Sequence, residues 1–223
     1  MDLASIGGLL GDRSRARMLE ELLDGRARTA TELAAQAGVA SATASEHLSK
    51  LVDGKLLSVE KQGRHRYFRL ATEDVARVLE AAGALAPPRT HSNAFEEDVE
   101  DLRFARTCYD HLAGRLAVDL RGAFIHRKLL VQNGAEHTLT AAGEAWFSAF
   151  GVDLEHARRE RRSFARACLD WSERRPHVAG ALGAAVLNRL LERGWIELCT
   201  GTRAVELTQS GRRGLSELID DIG

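Results

Sequence analysis

Apolar positions recur at helical spacing in three successive short segments near the start of the chain. In "RARMLEELLDG" Met18, Leu19, Leu22 and Leu23 share one side and Gly25 supplies a stop. In "RTATELAAQAG" Thr31 is the expected N-cap, Leu33, Ala34 and Ala37 form the apolar side, and Gly38 ends the helix. In "SATASEHLSKLVDGKL" Ser41 is the expected cap, with Ala44, His47, Leu48 and Leu51 on one face before Gly54. A short helix, a turn containing glycine and a second helix form the spacing of a helix-turn-helix. The period then changes from helical to alternating. "LLSVEKQGRHRYFRLA" alternates apolar and polar residues about Gln62-Gly63-Arg64, which predicts a two-stranded wing. "TEDVARVLEAAGAL" returns to helix, and the prolines of "APPRTHSN" close the region.

Beyond that break the pattern predicts a mostly helical half. "FEEDVEDLRFARTCYDHLAGRL" reads as one helix with Phe95, Val99, Leu102, Tyr109, Leu112 and Leu116 along a face, and an Asn133-Gly134 hairpin follows in "LLVQNGAEHTLT". "LTAAGEAWF" opens a helix at Thr140. "VDLEHARRERRSFARACLDWSERR" reads as a long helix stopped by Pro176, which in turn suits the first turn of "PHVAGALGAAVLNRLLERG". A second hairpin in "WIELCTGTRAVEL" and a closing helix complete the chain. "LTAAG" at Leu139 and "LTQSG" at Leu207 both follow a hairpin and open a helix, so a degenerate winged-helix-like unit is one arrangement open to this half. The expected fold class is mainly α with small β-hairpin wings. Its expected parts are a winged helix-turn-helix at 1–88, an acidic connector at 89–101 and a helical domain at 102–223.

Composition narrows the function classes. The 223 residues are 44% hydrophobic and 28% charged, with no apolar run approaching the length of a membrane span. Three cysteines cannot all pair within one chain, and the N-terminus has no secretory pattern, so a reducing cytoplasm is the expected setting. The net charge of -1 conceals opposite patches: Lys50 to Arg69 carries six basic residues against two acidic ones, whereas His91 to Asp101 carries five acids and no Lys or Arg. No Gly-rich phosphate loop, G-x-S-x-G elbow or H-E-x-x-H occurs, so no enzyme is expected.

The run S-x-x-x-S-x-H-L-x-x-L (Ser41, Ser45, His47, Leu48, Leu51) followed by the wing "QGRHRYFRL" resembles the winged helix-turn-helix of the ArsR/SmtB family of bacterial repressors, over about residues 5 to 86. The resemblance implies a homodimer, built through the helices Leu3 to Leu10 and Thr72 to Leu85, that binds a double-stranded DNA operator. Residue chemistry agrees. Small side chains at Ser41, Ala42, Thr43 and Ser45 let a helix backbone approach the major groove, while Lys50 and the wing residues Lys61, Arg64, His65 and Arg66 can meet phosphates. His47 reads partly as a packing residue.

What such a regulator would sense stays open at this level. Known members of the family bind metal through cysteines on the helix before the recognition helix, or through His and carboxylates on the helix after the wing. Here the first segment has no Cys and the second no His, so neither site carries over. Candidate ligands of a thiophilic divalent metal such as zinc are Cys108 and His111, three apart on the expected helix, and Cys168 and His177 across a bend at Pro176. The alternatives are a reactive thiol flanked by Arg166, Arg174 and Arg175, a small organic effector in an apolar pocket near Trp171, and a second domain that is only structural or partner-binding. Coupling to the DNA-binding half is expected through the acidic connector.

Overall fold

The computed structural model describes residues 2–62, 65–85, 100–200 and 202–219. The side chains of His65 and Ala84 lie outside that description, as do Arg64 and most of the acidic connector. The chain forms two compact units, Met1–Leu79 and Glu80–Gly223, each described by itself.

In the first unit, helices α1 (Leu3–Leu10), α2 (Arg13–Glu21), α3 (Ala30–Ala37) and α4 (Ser41–Asp53) precede a wing of β2 (Leu57–Gln62) and β3 (His65–Leu70). The short β1 (Arg28–Thr29) joins β3, so the sheet order is β1-β3-β2, all antiparallel. Helix α5 (Glu73–Leu85) follows the wing and runs across the boundary between the units. Met18, Leu19, Leu22, Leu33, Ala44, Leu48, Leu51, Phe68 and Leu70 form the core, the positions that the periodicity of the sequence places inside. Two caps differ from expectation. Thr29, not Thr31, caps α3, through a capping box in which Glu32 returns a bond to the Thr29 N–H. Ala40, not Ser41, caps α4, and among the described residues no side chain makes a cap hydrogen bond to its first turn.

The second unit is built twice over. Hairpin β4 (Arg106–Cys108) and β5 (His111–Ala113) leads into α6 (Arg115–His126), hairpin β6 (Leu130–Asn133) and β7 (Glu136–Leu139), and α7 (Ala141–Phe150). After the short α8 (Leu154–Arg159) the same order returns: β8 (Arg166–Leu169), β9 (Pro176–Ala179), α9 (Gly180–Glu192), β10 (Ile196–Leu198), β11 (Val205–Leu207) and α10 (Gln209–Leu215). The sequence carries the duplication as A-R-x-C-x-D at Ala105 and Ala165, then H-x-A-G-x-L at His111 and His177.

The two copies interlock. The β8 backbone pairs with the first copy's hairpin through His137 N to Ala165 O and Ala167 N to Ala135 O, both 2.8 Å. The β4 backbone pairs with the second copy's hairpin through Val205 N to Ala105 O and Thr107 N to Arg203 O, both 2.9 Å. These four bonds join equivalent positions, so the copies are related by an approximate two-fold axis. The L-T-x-x-G repeat has a local cause: Thr140 and Thr208 each cap their helix by accepting from the Gly143 and Gly211 N–H groups at 3.0 Å. A Cβ on either glycine would lie about 2 Å from the Leu129 or Trp195 carbonyl oxygen.

Two expected helices are therefore cut short. Residues 105–113 form a hairpin rather than part of a long helix, and residues 166–179 form another, with Pro176 opening β9 instead of a helix. The physical reason is the two-fold pairing: each hairpin strand is stabilised by backbone partners about 30 or 100 residues away, which local periodicity does not register. A single apolar core runs through both copies, including Leu112, Leu116, Phe124, Phe147, Leu182, Leu190 and Ile196.

Candidate functional site

The recognition surface expected from sequence is exposed on α4. Ser41, Ala42, Thr43, Ser45 and Lys50 face solvent, while Ala44, Leu48 and Leu51 are buried behind them. Ser45 Oγ donates back to Ser41 O at 2.9 Å. Lys61 and Arg66 are exposed and directly opposite each other on the wing, with Arg66 lying over the Phe68 ring. Arg64 and the His65 side chain are outside the described residues. His47 packs against α2, its Nδ1 3.3 Å from Arg15 Nη1, in keeping with its reading as a packing residue. Arg15 also donates to Leu9 O and Gly8 O at 2.8 and 2.7 Å, fastening the end of α1.

In the second unit Cys108, His111, Cys168 and His177 meet, with one ligand atom from each lying within 4.8 Å of all the others. Neither pair arises from helical spacing. Cys108 and His111 are the last pair of the β4–β5 ladder, and Cys168 and His177 are opposed in the β8–β9 ladder. Directly opposed residues of a ladder project from the same face, so each hairpin presents one sulfur and one imidazole. Tyr109, with φ of +60°, makes the tight turn of the first hairpin. The longer second turn closes through Asp170 N to Arg175 O and Arg174 N to Asp170 O, both 3.0 Å. The two-fold axis then sets the faces together.

All four residues are at most 4% exposed. The two imidazoles approach Nε2 to Nε2 at 3.1 Å. A tetrahedral pair of metal–nitrogen bonds of about 2.0–2.1 Å spans about 3.3 Å, so this separation suits a shared ion. Each ring turns its other nitrogen to the aspartate two positions after its copy's cysteine. His111 Nδ1 is 3.4 Å from Asp110 Oδ1. His177 Nδ1 is 3.0 Å from Asp170 Oδ2, an ion-pair distance off the line of an aligned hydrogen bond. A carboxylate behind each imidazole is the arrangement that orients metal-ligating histidines.

Asp170 is fully buried and serves as a hub. It accepts from Gly114 N at 2.7 Å, Arg106 Nη2 at 3.0 Å, Ser172 N at 3.0 Å and Ser172 Oγ at 2.8 Å. Burial alone would raise its pKa, but His177, Arg106 and the Gly114 N–H outweigh it and hold the carboxyl well below the usual range. Gly114 has φ of +87° and ψ of -176°, a region essentially reserved for glycine, and a Cβ there would lie 2.8 Å from the carbonyl oxygens of both Arg103 and Phe104.

Electrostatics within the cluster are those of thiolate chemistry. Cys168 is pushed down by the hydrogen bond from Cys108 and, against burial, by His111 and His177. Cys108 is pushed up by that same bond and by burial. Burial opposes the charge on His111, yet Asp110 and Cys168 raise its pKa to about 9. A set of two sulfurs and two imidazoles suits zinc or another thiophilic ion.

Trp171, expected near an effector pocket, instead lies against the Arg106 guanidinium, 4.7 Å from ring centroid to Cζ. A cleft bounded by Leu112, Leu120, Phe124, Phe147, Leu182 and Val186 offers about 20 Å³, room for little more than a water, and does not include Trp171. Cys199 stands outside the cluster, half-exposed. The structure turns His111 to Asp110 and His177 to Asp170, and the A-R-x-C-x-D repeat places each aspartate two positions after its copy's cysteine.

Comparison with known proteins gives the class. Residues 10–60 match the family model of a helix-turn-helix domain. The HTH-type transcriptional regulator YdfF of Bacillus subtilis is 47% identical over 212 residues, covering 95% of this chain and 94% of that protein. The HTH-type transcriptional regulator Rv0324 of Mycobacterium tuberculosis is 34% identical over 77 residues, 34% of each chain. A solved homodimeric winged helix-turn-helix DNA-binding domain from Mycobacterium bovis, Mb0332, is 32% identical, with a TM-score of 0.34 over 36% of this chain and 73% of that one. The protein is thus a DNA-binding transcriptional regulator of the helix-turn-helix class. Along nearly its whole length it belongs to the family of HTH-type regulators that includes YdfF. Among the described residues no helix is long and apolar enough to cross a membrane.

Proposed function

We propose that this protein is a dimeric repressor of the ArsR/SmtB type whose hold on its operator is released by a thiophilic divalent metal, zinc foremost, bound by Cys108, His111, Cys168 and His177. The observation that carries the reading is the convergence of those four ligands, two from each copy of a duplicated fold, with a carboxylate behind each imidazole. Isolated buried ionisable groups are costly, and a metal ion satisfies all of them at once.

In the DNA-binding half, the exposed small residues of α4 enter the major groove, its first-turn N–H groups face a phosphate, and Lys61 and Arg66 of the wing follow the backbone. Dimerisation through α1 and α5 accounts for their bare apolar surface. No residue of α1 is buried, Leu3 is 73% exposed and Val78 50% exposed.

The test begins with chelator-treated protein. Added zinc is expected to bind at about one ion per chain, and gel retardation of a fragment from upstream of the protein's own coding region is expected to weaken with zinc and recover with chelator. A purely structural metal would bind equally well and leave DNA affinity unchanged, which would refute the sensing role. Absence of zinc uptake would refute the metal site itself.

A further inference from the structure

Glutamate is seldom fully buried without a partner, yet Glu80 on α5 is only 2% exposed. Its Oε1 accepts from Arg203 Nη1 at 2.8 Å. Its Oε2 makes no hydrogen bond among the described residues and lies 3.5 Å from Arg106 Nη2. That same nitrogen donates to Asp170 Oδ1 at 3.0 Å, and Asp170 Oδ2 faces His177 Nδ1 at 3.0 Å. Arg106, Asp170 and His177 are all fully buried. Trp171 covers the Arg106 guanidinium and Leu102 O accepts from its Nη1 at 3.1 Å, so the cation is fixed between two carboxylates. These contacts all lie within the unit that starts at Glu80, while the first turns of α5 belong to the DNA-binding unit.

We propose that the line His177–Asp170–Arg106–Glu80 carries metal occupancy to α5, and through that helix to DNA affinity. This rests on the metal-responsive reading above. With a metal held by the four ligands, the Nδ1 of His177 would serve as a committed N–H donor to Asp170 and tighten that contact. Arg106 is shared between Asp170 and Glu80, so a change in Asp170 alters how much of the guanidinium Glu80 receives. The two contacts free to tighten are the two that are off hydrogen-bond alignment, His177 with Asp170 and Arg106 with Glu80. In a buried site of low dielectric such redistribution is felt strongly.

The test uses the full chain and compares wild type with Glu80→Gln, and with Arg77→Gln on the same helix, whose ion pair with Asp74 is exposed. Zinc affinity is measured by chelator competition, and DNA affinity with and without zinc. Wild type and Arg77→Gln are expected to show a zinc-dependent change in DNA affinity of about 5–150-fold. Glu80→Gln is expected to take up one zinc per chain and to bind DNA, with that change reduced to less than about twofold. A full zinc response in Glu80→Gln overturns the relay and leaves the metal reading standing. No response in wild type overturns the metal reading, and the relay with it. Hydrogen exchange of wild type supplies a check that needs no variant: zinc is expected to alter amide protection across Glu80–Leu85, and unchanged protection there overturns the relay.

Discussion

Asp110 and Asp170 occupy equivalent places in the duplicated unit and differ in burial, which makes them a matched experiment. Asp170→Asn removes one negative charge from a fully buried hub and leaves Arg106, also fully buried, facing a neutral amide that competes as a donor. Breaking a buried ion pair from one side costs about 3–5 kcal/mol. At about 2–4 °C per kcal/mol for a chain of this size, the zinc-free protein is expected to melt roughly 6–20 °C lower. Asp110 is 33% exposed and paired with Arg162, itself 22% exposed, so Asp110→Asn is expected to cost about 1 kcal/mol or less. The pH dependence has a definite sign. Because the folded state depresses the Asp170 pKa, its stabilisation is present above the unfolded carboxyl value of about 3.9 and is lost as pH falls below it. The stability gap between wild type and Asp170→Asn is therefore expected to narrow from pH 5 towards pH 2. Urea unfolding of both variants at neutral and acid pH measures this, and chelator competition should show a zinc affinity about 10–100-fold weaker in Asp170→Asn. Equal losses in the two variants, or a gap that does not change with pH, would refute the assignment of Asp170 as the charged hub.

Two further expectations concern the DNA-binding unit. Arg66→Ala should weaken binding to specific and unrelated DNA alike and reduce the slope of log affinity against log salt by about 0.9, and an unchanged slope would remove Arg66 from the phosphate contacts. The double variant Leu3→Glu with Val78→Glu places charge on the bare apolar faces of α1 and α5. It should sediment as a folded monomer with much weakened operator binding, and an intact dimer would locate the interface elsewhere.

The first unit was legible because its information is local. Helical periodicity placed Met18, Leu33, Leu48 and Leu51 in the core, alternation placed the wing, and Gly38 marked a helix end where φ is +68°. Errors there were confined to caps, at Thr29 and Ala40, where neighbouring candidates differ little in propensity. The second unit was legible in its hairpins at Asn133-Gly134 and after Trp195, whose turn residues are specific, and illegible at "RTCYDHLA" and "RACLD". Those strands are three or four residues long, too short for alternation to register, and they owe their conformation to partners in the other copy.

The sequence alone determined the composition of the candidate site, two cysteines and two histidines, along with the exposed small and basic residues of α4 and the wing. Tertiary structure decided the geometry. Cys108 and Cys168 are sixty positions apart, and only the approximate two-fold pairing of their hairpins brings them and their histidines within one coordination sphere. It also decided which aspartate is buried and charged and which is half-solvated, and it seated Glu80 at the end of the Arg106 line. These are consequences of long-range backbone pairing and burial, and neither has a signature at the scale of a helical turn or a strand.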